Sequence, residues 1–98
     1  MIKHLVMWKL RPGIEIDDPR IEEAAAALRA LKGVVPGLVD LHFGVDFSRK
    51  GFSYDMGLTS TLVSREALEG YQVHPAHVAA AGLIVELTAE KALVDFEL

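Results

Sequence analysis

The segment Tyr71-Gln72-Val73-His74-Pro75-Ala76-His77 places a phenol and two imidazoles within seven residues. A neutral imidazole is a general base near pH 7. A tyrosine hydroxyl can donate a hydrogen bond to a carbonyl oxygen. Pro75 pushes residue 74 away from helical geometry, so the segment falls at a helix break. A broken helix can aim several side chains at one point. The helix that opens at Pro75 adds partial positive charge and free N–H groups, both suited to a developing oxyanion. The chemistry within reach is general-base catalysis by an imidazole, with a tyrosine hydroxyl donating to a carbonyl oxygen. A competing reading makes Tyr71 a core residue, His74 the cap of the second helix, and His77 a partly buried histidine with a backbone partner. His77 is the third residue of its helix. It lies off the Ala76, Ala80, Leu83 stripe but close enough to its edge to face a cleft.

His4 is the other histidine of interest, on an otherwise apolar strand face beside Val6 and Trp8. It reads either as a satisfied core residue or as a polar group at the mouth of an apolar pocket. Asp55 reads as an interface or turn partner rather than a catalyst. Asp40 and His42 share a strand face, but Asp-x-His alone does not make a metal site. No metal and no cofactor are expected.

The elements that must position these groups follow from periodicity and punctuation. Ile2 to Leu10 alternates as a strand, with His4, Val6, Trp8 and Leu10 on one face and Lys3, Leu5, Met7 and Lys9 on the other. Asp18 caps a helix whose first residue is Pro19. Ile21, Ala24, Ala25, Leu28 and Leu31 form its apolar stripe, and Gly33 reads as its C′ residue. A second strand runs from about Leu38 to Val45, with Val39, Leu41, Phe43 and Val45 on one side. A third runs from about Tyr54 to Leu62. Ser64 caps a short helix through Tyr71, and a further helix runs from Pro75 to about Glu86. The last strand spans about Lys91 to Phe96. The order β-α-β-β-α-β is the ferredoxin-like α+β arrangement, a four-stranded antiparallel sheet with helices on one face.

Composition sets the outer bounds. With 98 residues the chain is one domain, residues 1–98. Apolar residues make up 51 % and mean hydropathy is +0.27, more apolar surface than one small core can hide. A subunit interface is the simplest outlet, so a homodimer closed by the open sheet faces is expected, with Leu5, Met7 and Leu93 on faces a monomer would leave wet. Cysteine is absent, which removes disulfides, thiolate catalysis and Cys-ligated metal. The net charge is −4 and no basic run or aromatic-basic stripe points to nucleic acid. No apolar run reaches membrane-helix length, and the N-terminus lacks a signal-peptide pattern, so a cytoplasmic location is expected.

Several stretches together resemble the stress-responsive α/β-barrel (Dabb) family. They are Lys3-His4-Leu5-Val6, Val35-Pro36-Gly37, Phe43-Gly44, Phe52-Ser53-Tyr54-Asp55 and, most specifically, Ser64-x-Glu66-Ala67-Leu68-x-x-Tyr71-x-x-His74-Pro75-x-His77. The resemblance spans essentially the whole chain. It implies ferredoxin-like homodimers whose two sheets close a barrel. One enzyme of the family closes a linear polyketide by aldol condensation without a cofactor. Its catalytic tyrosine and histidine match Tyr71 and His77, and its N-terminal histidine matches His4. Where that enzyme has a further pocket histidine this chain has Met56. Where it has bulky aromatics on the first helix this chain has Ala24, Ala25 and Leu28. Another branch comprises plant stress proteins.

Two functions follow. One is a homodimeric binding protein, stress-related by its resemblance, with an apolar pocket between sheet and helices for a small hydrophobic or aromatic ligand. That pocket is expected to be lined by Val6, Trp8, Ala25 and Leu28, with Met56, Leu58 and His74. The other is a cofactor-independent cyclase, isomerase or monooxygenase acting on a polyketide or aromatic substrate through Tyr71 and His77. A cavity of a few hundred Å³ touching both side chains separates the two.

Overall fold

The computed structural model describes residues 1–98. Its elements are β1 (Ile2–Leu10), α1 (Pro19–Arg29), β2 (Leu38–Val45), β3 (Met56–Leu62), α2 (Arg65–Val73), α3 (Pro75–Leu87) and β4 (Thr88–Glu97). The four strands form one antiparallel sheet in the order β2-β3-β1-β4, the ferredoxin-like topology. No helix is long and apolar enough to cross a membrane.

The helices cover the face that carries Ile2, His4, Val6 and Trp8 of β1 and Met56, Leu58, Ser60 and Leu62 of β3, all buried. Ile21, Ala24, Ala25 and Leu28 of α1 close onto them, with Ala80, Ile84 and Leu87 of α3. The small residues of both helices let them approach the sheet and each other closely. Local signals set the boundaries. Asp18 accepts from the N–H of Arg20 and Pro19 opens α1. Ser64 accepts from the N–H of Ala67 to open α2. Gly37 has φ +80°, and a Cβ there would come within 2.7 Å of Ala67 Cβ, so only glycine lets the connector pass beneath α2.

The structure corrects several sequence expectations. Helix α1 stops at Arg29, and Gly33 lies further on, with φ +88°, inside the turn where Val34 and Val35 donate to the Leu31 carbonyl. Strand β3 begins at Met56 rather than Tyr54, because the chain before it is tied to the loop by Asp55. Strand β4 begins at Thr88, not Lys91, since α3 runs into it without a connector. A register shift between Leu38 and Asp40 turns Val39 outward, 40 % exposed, and brings Leu38 into the core. Leu93 pairs with Val6 across β1–β4 and therefore stands on the helix side. The apolar residues of the open face are Leu5, Met7, Ala92, Val94 and Phe96.

Candidate active site

Between the sheet and α3 lies a cavity of about 310 Å³. His4, Val6 and Trp8 of β1 and Leu58 of β3 form its floor. Leu28 of α1, and Ala81, Ile84 and Val85 of α3, close the apolar side. Tyr71, Gln72 and His77 stand at the helix break, and Arg11 with Thr88 to Lys91 and Leu93 form the mouth. Of the residues expected to line a pocket, Val6, Trp8, Leu28 and Leu58 border this cavity. Ala25 and Met56 are buried in the core beneath it. His74 caps α3.

The helix break puts the two reactive rings side by side. His74 adopts extended backbone (φ −62°, ψ 133°) because Pro75 follows it, which ends α2 and starts α3. Its Nδ1 accepts from the N–H of Ala76 at 3.1 Å. One turn back, Tyr71 points into the core; just after the break, His77 folds over it. The ring centroids of Tyr71 and His77 are 4.3 Å apart. His77 Nδ1 donates to the Gln72 carbonyl at 3.2 Å, which leaves Nε2 with its lone pair free. His4 meets Tyr71 edge-on at 5.8 Å, and its Nδ1 donates to Asp95 Oδ1 at 2.5 Å.

Burial sets the protonation states. Desolvation pushes the Tyr71 phenol up to about 12, so it remains a hydrogen-bond donor at neutral pH. Desolvation also lowers His77 below its usual 6.5. The Gln72 carbonyl opposes this, while the neighbouring His4, Lys91 and His74 reinforce it. The imidazole is therefore neutral, with Nε2 as a base. Tyr71 is 1 % exposed and its hydroxyl has no protein partner. The sealed, unpartnered side-chain oxygens are instead Asp40 Oδ1 and Ser60 Oγ. The Tyr71 hydroxyl is thus left open to the cavity it lines.

Asp95 was not legible as a site residue. Its signal is the β1–β4 register, which sets it opposite His4, and only the fold supplies that register. Asp55 accepts from the N–H of Leu10 at 2.7 Å and from Arg49 at 2.6 Å, far from the break. Asp40 and His42 stand on the open face of the sheet, opposite Thr61 and Thr59, and take no part in the cavity.

A ferredoxin-like sheet with a Tyr-x-x-His-Pro-x-His break over its floor defines a class. The chain belongs to the stress-responsive A/B barrel domain (Dabb) family, whose model matches residues 2–98. It is 35 % identical over 97 residues to an uncharacterised protein of Streptomyces coelicolor, covering 99 % of both chains. It is 30 % identical over 79 residues to olivetolic acid cyclase of Cannabis sativa, covering 79 % of this chain and 76 % of the cyclase. Among solved structures it is similar to a dimeric ferredoxin-like protein of Jannaschia, with a TM-score of 0.82 and 35 % identity over 99 % of this chain and 98 % of that one.

Proposed function

We propose that this chain works as a homodimer and binds a small apolar or aromatic carbonyl compound in the cleft, where His77 and Tyr71 move a proton. His77 Nε2 takes a proton from the carbon beside the carbonyl. The C–H electrons pass into an enolate, and the Tyr71 hydroxyl donates to its oxygen. Attack of the enolate carbon on a second carbonyl of the same molecule closes a ring, and the proton returns from His77 to the new alkoxide. The step draws on no cofactor. The observation that carries this reading is the meeting of Tyr71 and His77 on one wall of a 310 Å³ cavity, each in the neutral form the step needs. The similarity to olivetolic acid cyclase supports ring closure as the reaction.

Deuterium uptake tests the chemistry. In D₂O the protein is expected to speed exchange at the carbons flanking the carbonyl of 4-phenylbutan-2-one. His77→Ala should remove roughly 10²–10⁴-fold of that acceleration. No acceleration with this ketone or with a series of linear β-diketones would sink the catalytic reading.

A binding role without catalysis is favoured by one observation: His74 and His77 both already hold backbone partners. On that reading His77→Ala loses one solvent-facing bond to the Gln72 carbonyl, which costs about 0.5–1.5 kcal/mol of stability, and no activity is lost.

The dimer rests on the open face of the sheet. Met7, Val94 and Phe96 are 46 %, 57 % and 43 % exposed there, an apolar strip that a second sheet would cover. The Jannaschia protein is dimeric. Sedimentation at micromolar concentration should give twice 10.7 kDa, and Val94→Asp should halve the mass. A wild-type monomer at that concentration would overturn the assembly.

A further inference from the structure

The mouth of the cleft is positively charged in a chain whose net charge is −4. Three charged side chains border the cavity: Arg11, Glu90 and Lys91. Glu90 already has a partner, with Lys9 Nζ at 3.7 Å. Lys91 is exposed and takes part in no ion pair. It pairs with Trp8 across β1–β4, so its side chain rises on the helix side of the sheet, beside the indole on the cleft floor.

Arg11 is fixed at the same mouth. Its N–H donates to the Leu87 carbonyl at 2.9 Å, Nε donates to the Thr88 carbonyl at 3.2 Å, and Nη2 to the Val85 carbonyl at 3.1 Å. Nη1 has no protein acceptor. The last carbonyls of α3 carry partial negative charge, which offsets part of the guanidinium. What remains suits one negative charge, not the two of a phosphate. Behind the mouth the walls are apolar, with Val6, Leu58 and Ile84 leading to the Tyr71–His77 pair.

We propose that the ligand of this cleft is a monocarboxylate: an apolar body directed at Tyr71 and His77, and a carboxylate held at the mouth by Lys91 with Arg11. The inference takes the cleft as the ligand site, as in the proposed function, and narrows the substrate to a keto acid rather than a neutral ketone. Lys91 is the specificity-determining residue. Arg11 is already engaged, whereas Lys91 is free to close on the anion.

Trp8 is the chain's one tryptophan and borders the cleft, so its fluorescence reports binding. The probes are 4-phenylbutanoate and 4-phenylbutanamide, alike in shape and different in charge. At low salt the acid should bind about threefold to fivefold tighter, the range of a solvent-facing ion pair. In Lys91→Gln the two should bind alike, with amide affinity unchanged. Lys91→Arg should restore the preference. Lys32→Gln, which removes the same charge elsewhere, should leave it intact. Equal binding of acid and amide to the wild type overturns the carboxylate assignment, and a preference undiminished in Lys91→Gln overturns Lys91 as its determinant; either result leaves the cleft reading standing. Binding of neither probe overturns both. A preserved acid preference in a protein that exchanges no α-protons fells only the catalytic step.

Discussion

The helix break and the β2–β3 loop each gather ionisable side chains, and they treat them in opposite ways. At the break, burial keeps Tyr71 and His77 uncharged, with one backbone carbonyl as their only polar tie. In the loop, pairing keeps Asp46, Arg49 and Asp55 charged. Asp46 accepts from the Arg49 backbone N–H at 2.8 Å and from its guanidinium at 3.1 Å, and Arg49 reaches Asp55 at 2.6 Å. The loop's hydrogen bonds hold Arg49 at φ +47°, a conformation that a side chain disfavours without such support. The charged Asp46–Arg49–Asp55 network fixes a turn, and its groups are already engaged with one another. A neutral pair with an unpartnered hydroxyl and a free ring nitrogen, beside a cavity, retains a capacity for chemistry.

The largest expected effect breaks the first half of that contrast. Tyr71→Phe removes one hydroxyl that bonds to no protein group. Proton exchange should fall by roughly 10²–10³-fold, the usual loss for one oxyanion donor. The melting temperature should hardly change. A melting temperature lowered by several degrees with exchange intact would mean that the hydroxyl serves the fold.

Asp55→Ala should do the reverse. It leaves the Leu10 N–H and the Arg49 guanidinium without their acceptor. A loss of about 1–3 kcal/mol in chemical denaturation is expected, with exchange activity and probe binding kept. An equal fall in activity would show that the loop and the break are coupled and undo the contrast.

How much of this was legible in the sequence depends on how far each signal reaches along the chain. The β1 alternation, the Asp18-Pro19 and Ser64 caps and the His74-Pro75 break are local, and each one placed its element. The outward turn of Val39 comes from a register shift against β3, which no alternation within β2 can announce. Leu93 looked like part of a wet face, because the phase of a strand is fixed by its neighbour: pairing with Val6 sends it to the cleft. The same register sets Asp95 against His4 and Lys91 beside Trp8. The break showed in the sequence which groups could react. The mouth of the cleft is built by β4 crossing beside β1 and Arg11, from the opposite end of the chain, and was invisible for that reason.

The smallest expected effect separates the two regions by pH. His77 is lowered from 6.5 chiefly by burial, so the folded protein resists a proton that the unfolded chain accepts. Its contribution to stability is complete above about pH 6.5 and is lost as pH falls through the lower, folded value. Exchange activity should decline over the same interval, because only the neutral ring is a base. Asp55 also lies below its ordinary value of 3.8. Burial opposes its ionisation, and the bonds from Arg49 and the Leu10 N–H, with the charges of Arg49 and Lys9, outweigh it. Asp46 is lowered as well, first by the Arg49 backbone N–H. Their contributions persist above pH 3.8 and fade only as pH falls below it. Denaturation measured from pH 8 to pH 2 should therefore show two steps. His77→Ala should flatten the upper step alone, and Asp55→Asn the lower alone. A single acid transition that both substitutions shift equally would show that the two clusters titrate as one, and the division between a neutral site and a charged staple would fail.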